Sequence, residues 1–154
     1  IAWSPAISKY WVFRAEGAAI VGAEVDVFAP CALGGVIDDR TVPRLAAPVI
    51  AGAANNQLAT DEDADRLVER DILYAPDFVV NAGGLINVSE EIRGYVEDRA
   101  AHHIDKVYDN TLRVLKGAAE RNESPHVTAV SLAEERIRNI GHLRLFRRSG
   151  DDRN

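Results

Sequence analysis

The chain has 154 residues, 47% of them hydrophobic, with 24 acidic against 18 basic side chains and a net charge of −6. That length suits one domain with a real core, and the acidic balance argues against a nucleic-acid partner, which needs clustered Lys and Arg. A single cysteine, Cys31, excludes an internal disulfide framework, and no apolar run reaches the roughly 20 residues of a membrane helix.

With no charged-then-apolar leader at the start, the expectation is a soluble, cytoplasmic protein. Residues 1–23 resist placement, because Trp3, Tyr10, Trp11 and Phe13 crowd together without a period. Val25 to Ala29 then forms a short apolar run that stops at Pro30, as a buried strand does. Ala47 to Ala54 is a second, entered through Pro48 and left through Asn55-Asn56. Ile72–Ala75 and Phe78–Val80 read as a third strand region, interrupted by Pro76. Between the second and third, Thr60 with Asp63 three residues on has the spacing of an N-terminal capping box, so a helix is predicted there. Strand, helix and strand in this order predict right-handed crossovers and a parallel sheet.

From Ala100 the period turns helical. Ala100, Ile104, Val107, Tyr108, Thr111, Leu112 and Leu115 fall on one stripe, with Asp105, Lys106, Asp109 and Arg113 opposite. A second long helix is predicted with Pro125 at its first position, carrying Val127, Val130, Leu132 and Ile137. The basic cluster Arg144, Arg147 and Arg148 falls in its polar end, and residues 147–154 read as a tail.

In an open parallel sheet, ligands bind beyond the carboxyl ends of the strands. Three successive strand ends here run into small residues or amides: Ala29–Ala32, Gly52–Asn56 and Asn81–Gly84. Small side chains let a flat group approach the backbone, and an Asn offers both donor and acceptor to a carboxamide. Gly and Asn also make ordinary turns at strand ends, and composition alone names no cofactor.

A resemblance does. DVFAPCALGGVI (Asp26–Ile37), VIAGAANNQLA (Val49–Ala59), ILYAPDFVVNAGGLINV (Ile72–Val88) and the later AEERI (Ala133–Ile137) resemble, in order and spacing, the cofactor-binding half of the leucine, phenylalanine and valine dehydrogenases. The likeness covers roughly residues 24 to 146. It implies an α/β fold, a partial Rossmann-type parallel sheet followed by long carboxy-terminal helices, that binds NAD. By the same resemblance, Cys31 and Ala32 would lie beside the ribose, and Ala53, Ala54 and Asn55 would border the nicotinamide ring. Asn81 would hold the nicotinamide carboxamide, while Leu85 and Val88 would line the substrate's side-chain pocket. Glutamate-specific relatives place a hydroxyl at the position of Val88. An apolar pair there leaves a carboxylate unsatisfied, so an apolar L-amino acid, or its 2-oxo acid, is implied. Without the resemblance, Leu85 and Val88 would read as ordinary helix core.

What the family uses and these residues do not carry is equally informative. No GxGxxG turn for a pyrophosphate occurs, since Gly17–Gly22 has the wrong spacing. Lys9, Lys106 and Lys116 are the only lysines, and none stands in the family's lysine motif. No catalytic residue is therefore assigned. Asp61, Asp63 and Asp65 lack the Gly and closing Glu of a calcium loop. The adjacent His102 and His103 point about 100° apart on a helix, a poor arrangement for one metal. His126 and His142 stand alone in the sequence, and Cys31 has no basic neighbour. Two readings result. One is part of an amino-acid dehydrogenase that works with an amino-terminal catalytic domain or in a homo-oligomer. The other is an inactive remnant kept as a binding or oligomerisation module.

Overall fold

The protein is described here by a computed structural model over residues 17–148, with side chains from residue 20 to residue 140. The aromatic cluster of Trp3, Tyr10, Trp11 and Phe13, Lys9, and all but the first two residues of the tail lie outside the described residues, as does the side chain of His142. Gly17–Gly22 forms a short 3-10 helix.

Three strands follow, β1 (Val27–Phe28), β2 (Val49–Ile50) and β3 (Leu73–Tyr74), paired in parallel in that order. They are shorter than the apolar runs that contain them, since Pro30, Pro48 and Pro76 stand close to their ends and cannot donate to a ladder. Alternation along each strand decides what is buried. Phe28, Ile50 and Tyr74 point into the core with Ile37, Val42, Leu45, Ala47, Leu67 and Ile72, whereas Val27 and Leu73 on the other face are exposed.

Helix α1 (Glu62–Glu69) makes the crossover from β2 to β3 and buries Leu67 against the sheet. Half of its expected capping box forms. The buried Asp63 carboxylate accepts from the Thr60 N–H at 2.9 Å and from the Thr60 hydroxyl at 3.2 Å, but the hydroxyl does not cap the helix in return. Arg66 pairs with the same carboxylate.

One expectation fails. Phe78–Val80 is not strand but helix α2 (Asp77–Val80), which opens at Pro76. Once Pro76 ends the ladder, its carbonyl accepts from the N–H groups of Val79 and Val80, and the Asp77 carbonyl from that of Asn81. The chain closes a helical turn instead of extending the sheet. Helix α3 (Gly83–Ile92) follows, then α4 (Glu97–Arg121) and α5 (Pro125–Arg148), which pack against each other. Pro125 opens α5 as expected, and the Ser124 hydroxyl accepts from the Val127 N–H at 3.3 Å. The α4 stripe is narrower than predicted. Ala100, Val114 and Ala118 are buried and Val107 half-buried, but Ile104 and Tyr108 are exposed. The packing seam runs along residues 100, 107, 114 and 118, and the two bulkier side chains fall beside it.

Candidate functional site

The site is built by stitching the loops beyond β1 and β2 together. Gly52 lies so close to Pro30 that a Cβ there would come within 2.2 Å of the Pro30 carbonyl oxygen, so only glycine fits. Gly34 is pressed in the same way against the Asn55 and Asn56 carbonyls. Hydrogen bonds hold the seam: Ala54 N–H to Pro30 O at 2.9 Å, Gly35 N–H to Asn56 O at 2.7 Å and Ile37 N–H to Gln57 O at 3.0 Å. Asn56 takes the left-handed conformation, with φ of 52°, to make this turn.

The third strand end joins through side chains. Asn81 stands at the carboxyl end of α2, and its Nδ2 donates to Asn55 Oδ1 at 2.6 Å. The Ala53 N–H lies 3.5 Å from Cys31 Sγ. Cys31, Asn55 and Asn81 thus come together beyond one end of the sheet. Cys31, Ala32 and Ala53 are exposed small residues around the amide pair. Ala54 is buried beneath them, its N–H given to Pro30 and its carbonyl to Gln57, so it is foundation rather than surface.

Two supports of this rim were not singled out from the sequence. Gln57 is fully buried and donates from Nε2 to Gly52 O at 2.8 Å and Ala54 O at 2.9 Å. Tyr74 is buried under the turn that leads to Asn81, and its hydroxyl donates to Asp77 Oδ1 and accepts from the Asp77 N–H, both at 3.2 Å. Burial pushes the Tyr74 phenol well above its ordinary pKa, and the neighbouring Asp77 carboxylate adds to the shift. Nothing local in the sequence separates Gln57 from an exposed loop glutamine.

Leu85 and Val88 sit on α3 as expected, but they do not close a pocket among the described residues. Leu85 is 75% and Val88 52% exposed, and with Ile92 they form an uncovered apolar stripe. Leu85 also borders an open groove of about 600 Å³ between α2, α3, α4 and α5, with Phe78, Val107, Arg113 and Arg136. The far side of α3 is anchored. Glu90 is fully buried, its Oε2 accepts from Arg99 Nε, and His103 Nε2 lies 3.6 Å from its other oxygen. His126 is not alone in the fold, as its Nε2 lies 3.2 Å from Asp61 Oδ1 and its ring meets Phe78 edge-on.

Comparison with known proteins places the chain in a family. Residues 6–143 match the Glutamate/Leucine/Phenylalanine/Valine dehydrogenase family. The chain is 42% identical over 148 residues to a leucine dehydrogenase of Bacillus cereus, covering 96% of this chain and 40% of that protein. It is 47% identical over 124 residues to a valine dehydrogenase of Streptomyces virginiae, covering 80% of this chain and 35% of that one. The crystal structure of L-tryptophan dehydrogenase from Nostoc punctiforme superposes with a TM-score of 0.74 at 46% identity, over 77% of this chain and 36% of that chain. The chain therefore spans about 40% or less of the length of these relatives.

Proposed function

The chain belongs to the glutamate/leucine/phenylalanine/valine dehydrogenase family, and we propose that it forms the nicotinamide side of an NAD-dependent enzyme that deaminates an apolar L-amino acid to its 2-oxo acid. The observation that carries this reading is the Asn55–Asn81 amide pair at the sheet's end. With one N–H and one carbonyl oxygen engaged in their mutual bond, the two amides keep both Asn55 N–H groups, one Asn81 N–H and the Asn81 oxygen. That set matches a carboxamide, which needs one donor and one acceptor. The exposed small residues Cys31, Ala32 and Ala53 leave room for a flat ring beside them.

The residues present fit the nicotinamide end of the cofactor, and the bound ring would supply the hydride acceptor. The chain's own part is to orient that ring and to set one wall of the substrate site. Leu85 and Val88 offer no side-chain donor, so an acidic substrate side chain would meet them unpaired. The relatives named leucine, valine and tryptophan dehydrogenase agree with an apolar substrate. Proton handling and the pyrophosphate site are supplied from outside these 154 residues.

The rival reading, an inactive module that binds or oligomerises, draws support from the same uncovered stripe of Leu85, Val88 and Ile92. One experiment separates them. The purified 154 residues are expected to form no NADH from leucine, valine or phenylalanine, because general acid–base catalysis alone contributes about 10²–10⁴-fold and the family's lysine motif does not occur in them. Adding the separately expressed remainder of a relative, with its lysine motif and its glycine-rich turn, should restore NADH formation, and Asn55→Ala should abolish it again. No restoration favours the module. Turnover by the 154 residues alone that Asn55→Ala abolishes overturns the division of labour proposed here.

A further inference from the structure

We propose that Gln57 is the positioning residue of this site: its buried carboxamide ties Gly52 to Ala54 and so fixes where Asn55 meets Asn81. Two carbonyl oxygens, of Gly52 and Ala54, lie 2.8 and 2.9 Å from one end of the Gln57 amide, which orients its NH2 group towards them. That leaves Gln57 Oε1 buried without a hydrogen-bond partner. A buried unpaired acceptor is costly, and a leucine of similar size would avoid the cost. The amide is useful here only for its two donors.

Those donors act on the segment that carries the rim. Ala53, Ala54 and Asn55 lie directly between or beside the two bonded carbonyls. Asn55 follows the Ala54 anchor and precedes Asn56, whose carbonyl is held by the Gly35 N–H. Among the described residues, Gln57 supplies the only side-chain donors to backbone carbonyls of this loop. Without them the Gly52 and Ala54 carbonyls turn to solvent, and Asn55 loses the support that brings its Oδ1 within 2.6 Å of Asn81 Nδ2. The functional consequence rests on the nicotinamide reading of the amide pair; the positioning itself does not.

The test follows the Asn81 side-chain NH2 resonances by heteronuclear NMR on the isotope-labelled 154-residue chain, assigned through Asn81→Ala. In Gln57→Leu, these resonances should move to the position of a free asparagine while the backbone signals of α4 and α5 stay in place. In Gln57→Glu, the introduced carboxylate faces two carbonyls and should displace them as well. On acidification that carboxyl takes up a proton, regains one donor, and should return the Asn81 signals part of the way. A role confined to stability would lower the melting temperature without this reversible shift. If Gln57→Leu fails to fold, the pH course of Gln57→Glu decides. Asn81 signals unchanged in both variants at every pH overturn the proposal.

A second arm titrates nicotinamide mononucleotide, whose weak binding NMR can follow. Gln57→Leu should bind it about tenfold more weakly, the size of one lost hydrogen bond. If Asn55→Ala leaves the titration unchanged, the nicotinamide reading fails, and Gln57 is judged on the Asn81 signals alone. If Asn55→Ala abolishes binding and Gln57→Leu does not weaken it, the positioning role is wrong.

Discussion

The amide rim and the α3 stripe are the two halves of one candidate site, and they are built to different degrees of completion. The rim is finished within the chain: glycine contacts at Gly52 and Gly34, the buried Gln57 amide and the buried Tyr74–Asp77 pair all converge on it. The stripe is held from one side only. Glu90 is locked behind it, while Leu85, Val88 and Ile92 are each more than half exposed. Polar recognition tolerates little misplacement and needs support under every group. An apolar wall works by area, and a single face of it can wait for whatever completes the site.

Each half rests on buried polar groups, so the contrast can be broken from either side. The larger effect is expected at the stripe. Arg99→Leu leaves the Glu90 carboxylate buried with, among the described residues, His103 as its one charged neighbour, at 3.6 Å. Breaking a buried pair in this way costs about 3 kcal/mol, the low end of the usual range because Arg99 is partly exposed. For a chain of this length that is a fall of roughly 6–12 °C in melting temperature. Hydrogen exchange should quicken in α3 and spare the loop at 52–57. If the loop exchanges faster to the same extent, the two halves are one cooperative unit and the contrast is false.

Tyr74→Phe tests the rim from its own anchor. It removes both hydrogen bonds between Tyr74 and Asp77, at a cost of about 1–2 kcal/mol. The pH dependence carries the sign. The folded-state pKa of Tyr74 is raised, so its contribution is fully present below the unfolded value of roughly 10 and is lost as pH rises beyond it, where the unfolded chain ionises first. Melting temperature should therefore fall more steeply in alkaline solution for the parent chain than for Tyr74→Phe. Equal slopes would show that the phenol is not held protonated by the fold.

The same contrast governs what could be read without a structure. The parallel order, the crossover helix, the long helices and the Pro125 start are local signals, carried by apolar runs, capping spacing and proline. The meeting of Cys31, Asn55 and Asn81 was legible because parallel strands place their carboxyl ends on one side. Phe78–Val80 misled because an apolar triplet of one aromatic and two β-branched residues carries the same signal in a strand and in one helical turn, and Pro76 tipped it to the second. Gln57 and Glu90 were not legible at all. Each is a polar residue whose burial depends on partners 3 to 13 positions away, and no period marks such a residue.

The smallest expected effect is the most discriminating for the stripe. Val88 is 52% exposed and lies outside the buried core, so Val88→Ser should change stability by no more than about 0.5 kcal/mol. A valine in the core would behave otherwise, because losing buried methyl groups adds a cavity to the lost transfer energy. A thermal melt of the two chains at several protein concentrations distinguishes the cases. An unchanged and concentration-independent midpoint means that the stripe faces water and remains available to a substrate side chain or to another polypeptide. A midpoint that falls by several degrees, and does so more at high concentration, means that a second copy already covers Val88 in solution. In that event the stripe is an interface, and the substrate wall must be sought elsewhere on α3.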